Sequence, residues 1–194
     1  SQKNSCQSCH MPEVEGPAPI SAVMGVQRTG MHQHTFTGGN FFVLKMLNLH
    51  RDELSVAALP EELSAEAERT QSFLQTQAAR VSIRSVGVRD GKLIADVFVE
   101  NLTGHKLPTA FPSRRAWLHV MVRDQTGKMV FESGALNSDG SIQGNVNDAD
   151  PSRFTPHFRE ITSSDQAEIY EPILKDSDGH VTTGLAAAGG YLKD

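Results

Sequence analysis

The chain carries two thiols three positions apart with an imidazole directly after the second, Cys6-Gln7-Ser8-Cys9-His10. In this CxxCH spacing each sulfur reaches one vinyl group on the same porphyrin edge, and the histidine falls beneath the iron as an axial ligand. Two other chemistries draw on the same residue types. A zinc site usually brings a second Cys pair or an H-x₃₋₅-H element. This chain has only two cysteines, and His32 and His34, which could complete a tetrahedron with Cys6 and Cys9, stand as H-x-H. A thioredoxin-like dithiol needs a strand before its CxxC and a βαβ context after it. Here Ser1 to Ser5 precede the motif and a Pro/Gly-rich stretch follows. Covalent haem attachment is the reading that employs all three side chains.

With His10 on one face of the iron, the other face takes a second ligand or stays open to substrate. From Met11-Pro12 the chain runs through Gly16, Pro17 and Pro19, which marks a loop, and arrives at Met31-His32-Gln33-His34-Thr35-Phe36-Thr37-Gly38-Gly39-Asn40. A loop of this length can return to the motif, because closure entropy grows slowly with length. Met11 adjoins His10 and cannot reach the opposite face. His32 and His34 are preferred over Met24 and Met31, since two imidazoles arrive together beside an aromatic residue and a Gly-Gly turn.

The order CQSCHMP, then HTFTGGN, then an apolar helical run resembles the haem-binding units of bacterial multihaem c-type cytochromes over roughly the first quarter of the chain. The resemblance implies that the histidine before x-F is the distal ligand, which points to His34, with His32 as the alternative. Asn101-Leu102-Thr103-Gly104-His105-Lys106-Leu107-Pro108-Thr109, followed by Pro112-Ser113-Arg114-Arg115-Ala116-Trp117-Leu118, is similar to a segment of larger proteins of that kind and makes His105 a further candidate ligand. Such proteins carry several CxxCH motifs and this chain carries one. The expectation is a monohaem relative or a portion of a longer protein, and the abrupt ends favour the portion. The resemblance also implies attachment outside the bacterial cytoplasmic membrane, hence a periplasmic or extracellular location. Both cysteines are then consumed by the haem.

A formal charge of -5 over 194 residues and the lack of a basic patch argue against nucleic acid as a partner. No run of eighteen apolar residues suggests a membrane span. Asp176, Asp178 and the Asp148/Asp150 pair have oxygen chemistry suited to calcium, but no twelve-residue EF-hand loop is present and calcium is not expected. Arg114-Arg115 has the geometry to pair with a haem propionate, although a strand-end ion pair is the commoner use. Hydrolytic and phosphate-binding motifs are missing: there is no G-x-S-x-G, no H-E-x-x-H and no phosphate-cradling glycine loop.

The elements that must position these groups change character near Ala79. Asn40 is a suitable N-cap, and Phe41 to His50 reads as a short apolar helix, with His50 as a C-terminal cation. Pro60 to Ala79 has Leu63, Ala67, Leu74 and Ala78 at helical spacing and opens with Pro and two Glu. From Val81 the period becomes two: Val81, Ile83, Ser85 and Gly87 alternate with Ser82, Arg84, Val86 and Val88. Arg89-Asp90-Gly91-Lys92 then signals a hairpin into Leu93 to Glu100. Further strands are expected at Ala116 to Arg123, Met129 to Ser133, Ala167 to Leu174 and His180 to Ala187, with a long surface excursion from Asn137 to Phe158.

The expected fold is α+β, in two parts. Residues 1–78 form a small, mostly helical haem c segment, and residues 79–194 form an antiparallel β-sandwich, Ig-like or jelly-roll-like.

The function these residues favour is electron transfer through one bis-histidine haem, to redox partner proteins or to neighbouring haem-bearing segments. The alternative is a haem c reductase with an open iron face acting on a small nitrogen or sulfur compound. A third class is an adhesion or assembly module whose β part binds the partner.

Overall fold

A computed structural model describes residues 5–109 and 111–192. Contacts divide the chain into two compact units, one ending at Thr103 and the other starting at Gly104. Helices and antiparallel strands are mixed, so the fold is α+β, and each sheet among the described residues has two strands. No helix among them is long and apolar enough to cross a membrane.

In the first unit, helix α1 (Cys6–His10) is a single turn. A two-stranded ribbon follows, β1 (Ala18–Pro19) against β2 (Gln27–Arg28). Helix α2 (Phe41–Leu49) begins where the Asn40 side chain accepts the Val43 N–H, as the N-cap reading expects. Helix α3 (Pro60–Phe73) opens with Pro at its first position, where no N–H is needed, and the Glu62 carboxylate accepts the Leu59 N–H at 3.0 Å.

Leu63, Ala67 and Thr70 are the buried residues of α3, a spacing of four and three that makes one face. Asn48 donates to the Pro60 carbonyl and to Ser64, while Lys45 reaches Gln71. The end of α2 therefore meets the start of α3, and the two helices run antiparallel. Leu63 is 8 % exposed, so Leu63→Ala is expected to cost about 2–4 kcal/mol. A drop in the midpoint of the helical circular-dichroism transition under urea would show it.

Past Phe73 the helix widens into a π turn, Leu74–Ala78, before the backbone becomes extended. Strands β3 (Ala79–Arg89) and β4 (Lys92–Asn101) then form a hairpin. Asp90 and Gly91 both take positive φ, 53° and 74°, as a type I′ turn requires. The register shifts between Ile83 and Ser85, which leaves Arg84 as a bulged residue. Simple alternation puts Val86 and Val88 on the face opposite Val81 and Ile83. The bulge reverses this, because opposed residues share a face: Val81, Ile83, Val86 and Val88 line up with Val99, Val97, Ala95 and Leu93. The other face is polar, with Arg80 paired to Glu100 at 3.2 Å, Ser85 bonded to Asp96, and the Arg84 guanidinium 3.3 Å from the Phe98 ring centroid.

In the second unit, β5 (Ala116–Trp117) and β6 (Val120–Arg123) replace the continuous strand expected there. Strand β6 pairs with β7 (Met129–Ser133), and β5 pairs with β8 (Ile169–Tyr170). The single run is split because its two halves have different partners, and Leu118 N–H goes to the Glu168 carbonyl. The core gathers Ile142, Ala167 and Ile169, each at most 3 % exposed, with Trp117 packed on them.

The segment expected as a surface excursion therefore contributes to the core, burying Ile142, Asn145 and Thr155. Its Asp and Asn residues fold it tightly by bonding their own backbone. Asp139 accepts from Ser141, Asp150 accepts from Ser152, and Asn145 caps helix α4 (Val146–Ala149).

Strand β9 (Leu174–Lys175) pairs with β10 (Gly190–Tyr191). The strand expected over His180 to Ala187 is reduced to one bridge, Lys175 with Val181, followed by a 3₁₀ turn at Leu185–Ala187. Thr182 Oγ1 accepts the Gly184 N–H, a local turn that withdraws the backbone from a ladder.

Candidate functional site

The site is built on α1. Ser8 bonds the Ser5 carbonyl through both its N–H and its hydroxyl, and the Met11 N–H closes the turn on Gln7. Pro12 then stops the helix, since the residue before proline is driven out of the helical region. Positions three and four apart share a helix face, so one turn sets Cys6, Cys9 and His10 side by side. No residue of α1 is buried. Cys6 is exposed, Cys9 is half-buried, and neither is in a disulfide.

The loop leaves the motif and comes back to it. Glu13 and His32 form an antiparallel bridge, Val14 N–H bonds the Met31 carbonyl at 2.8 Å, and Gln33 N–H bonds the Pro12 carbonyl at 2.9 Å. The chain then makes a reciprocal pair with the motif histidine. Thr37 N–H donates to the His10 carbonyl at 3.0 Å, and His10 Nδ1 lies 2.5 Å from the Thr37 carbonyl. A carbonyl only accepts, so Nδ1 carries a proton. This is how metal-binding histidines are usually oriented. Thr37 is 5 % exposed, which fixes the contact.

His32 is held in the same way, its Nδ1 2.5 Å from the Met11 carbonyl. His34 is exposed, and its ring stacks on Phe36 with centroids 5.9 Å apart and 25° between planes. Phe36 sits at φ 49°, a left-handed conformation that costs a bulky residue on the order of 1–3 kcal/mol. The surrounding bonds of Thr37 and the Asn40 cap hold that strain in place.

These residues fit a covalently bound porphyrin. The two thiols are accessible on one face with a pre-oriented imidazole beside them. The nearby chain also leaves large apolar side chains uncovered, for Ile20, Val23, Met24, Val26, Phe36 and Phe42 are each at least 67 % exposed. A soluble surface seldom carries so many large apolar side chains in so short a span, and an apolar macrocycle is the kind of group that covers them.

Several other polar residues make contacts within their own units. His105 is exposed at the start of the second unit. His157 pairs with Glu168 at 3.1 Å and tilts against Tyr170, and His50 contacts Glu53 at 3.2 Å. Arg115 bonds Asp148 at 2.5 Å and approaches Glu171 at 4.0 Å. Asp176, Asp178 and His180 bring their ligating atoms within 4.8 Å of one another. Asp176 also accepts the N–H groups of Asp178 and His180, both at 2.9 Å, and the His180 N–H is the main cause holding its carboxyl below the ordinary range. Those bonds close a hairpin turn.

The sequence reading named His10 but missed Thr37, whose contribution is a backbone carbonyl and leaves no trace in residue type. No family model, curated protein or solved structure matches the chain.

Proposed function

We propose that the chain is an electron-transfer module carrying one haem c, tethered through Cys6 and Cys9, with His10 as the proximal ligand and His34 as the distal one. The observation that carries this reading is the reciprocal His10–Thr37 pair beside two accessible thiols. It directs the Nδ1 proton to a backbone carbonyl, the orientation usual for a metal-binding histidine. Bound haem supplies one-electron exchange between ferric and ferrous iron, at a lower potential with two imidazoles than with a His/Met pair. The chain's own part is positional. Helix α1 aligns tether and ligand, Thr37 holds the tautomer, and the exposed apolar side chains of residues 20–42 shield the ring from water. The finer fold within this reading is a haem segment followed by ribbons packed as an antiparallel sandwich. The short antiparallel pairs around Trp117 and Ile142 support the sandwich, which would present the haem to a neighbouring haem-bearing segment or a redox partner. A periplasmic or extracellular location belongs to the same reading.

Optical spectra of His34→Ala and His32→Ala test the ligand set. The unsubstituted protein is expected to be low-spin and six-coordinate. His34→Ala should turn it high-spin, and His32→Ala should leave it unchanged. The reverse pattern moves the distal role to His32. A resting protein that is already high-spin and shifts on adding small ligands replaces electron transfer with the open-site reductase.

A further inference from the structure

The hairpin of β3 and β4 gathers its apolar side chains on one face, and that face is exposed. Val81, Ile83, Val86 and Val88 are each at least 62 % exposed, with Leu93 at 51 % and Val97 at 39 %. The bulge at Arg84 is what puts Val86 and Val88 on the same side as Val81 and Ile83, and bulges are built features that re-aim side chains. The hairpin's basic and acidic side chains nearly balance. Its charged contacts, Arg80 with Glu100 and Arg84 over Phe98, belong to the other face. A lone two-stranded hairpin is marginally stable in water and gains stability from a further layer on its apolar side. A contiguous exposed apolar face marks an interaction site.

We propose that this face is the contact between two copies of the chain, packed hairpin on hairpin about a two-fold axis. Strand β4 has 10 residues, so at ~3.3 Å per residue and ~4.8 Å between strands the face is about 33 Å long and about 10 Å wide. Two such faces, with the relief of their side chains, cover on the order of 1,000 Å² in all, the least that a specific interface needs. A reversible dimer is therefore expected rather than a permanent one. A second copy brings a face of the same length, the same β-branched surface and no charge of like sign, which is what an isologous contact requires. Sheets pack face to face in this way, about 10 Å apart. The pairing asks nothing of the haem reading.

Sedimentation equilibrium of the full chain from about 1 to 100 µM tests this. A reversible rise from monomer to dimer mass is expected, with a Kd on the order of micromolar. Val86→Lys places a charge in the contact twice per dimer and should weaken association about a hundredfold or more, leaving a monomer throughout that range. Val86 is exposed, so the variant should keep the far-ultraviolet spectrum of the unsubstituted chain. Ile83→Thr, which stays β-branched, should weaken association less, about tenfold. Ser82 pairs with Phe98 on the other face, so Ser82→Lys should leave the Kd unchanged. The proposal is overturned by a monomer at about 100 µM, whatever else then covers the face. It is overturned equally by a dimer that neither Val86→Lys nor Ile83→Thr weakens, or by one that Ser82→Lys weakens as much.

Discussion

Replacing Cys6 and Cys9 together by alanine is expected to remove all denaturation-resistant Soret absorbance from protein made in a host that matures c-type cytochromes. The mass increment of a bound macrocycle should vanish with it. The effect is all or none because a thioether needs a sulfur, and without one the porphyrin is held by coordination alone and leaves on unfolding. Loss of fold is a poor rival explanation. Cys6 is exposed, Cys9 is half-buried, and α1 buries no residue, so two alanines remove no core volume and keep a good helix former in the turn. The variant should retain the far-ultraviolet spectrum of the unsubstituted chain while losing its colour. Single substitutions separate the two tethers, since either remaining sulfur can hold the ring by one bond. If the unsubstituted polypeptide, denatured, shows no Soret band and no added mass, the haem reading falls and Cys6 and Cys9 need another account.

What the sequence disclosed was local chemistry, and what it concealed was pairing over distance. The CxxCH spacing, the Asn40 cap, the Pro60 helix start and the Asp90-Gly91 turn are each written within a few residues, and the structure has them where the spacing puts them. Thr70 escaped notice because a threonine is not counted as core, although it is 1 % exposed on the inner face of α3. The bulge at Arg84 was invisible to a strict period of two, yet it decides which valines share a face. The Asp/Asn-rich stretch after Asn137 looked solvated by composition. Its polar side chains are spent on its own backbone, which frees Ile142 to enter the core. Arg115 was weighed as a partner for a propionate, and its carboxylate partners turn out to be Asp148 and Glu171, far along the chain. For the candidate site the motif gave the proposed ligand and tethers, and the fold supplied the carbonyls that orient His10 and His32.

Gly134→Ala should lower the stability of the second unit by about 3 kcal/mol, and the loss has two separable parts. Gly134 has φ 71°, a left-handed backbone that costs an L-residue roughly 1–2 kcal/mol. A Cβ there would also stand 2.3 Å from the Leu118 carbonyl oxygen. That oxygen is backbone and cannot rotate away, so strand or turn must shift, at a cost of about 1–3 kcal/mol. The site admits little movement. Gly134 follows Ser133, whose hydroxyl donates to the Gln166 carbonyl at 2.5 Å, and its own carbonyl accepts the Trp117 indole N–H at 3.0 Å. Gly140→Ala is the control, with φ 86° and nothing within 4 Å of the added carbon, so it should show the backbone part alone, roughly 1–2 kcal/mol. Trp117 is the single tryptophan of the chain, and its fluorescence during urea unfolding reports on this unit for both variants. A gap of about 2 kcal/mol between them ties the extra loss to the Leu118 overlap. Equal losses would mean that the turn yields freely, and the packing of β5, β6 and β7 around Trp117 would then be looser than these contacts imply.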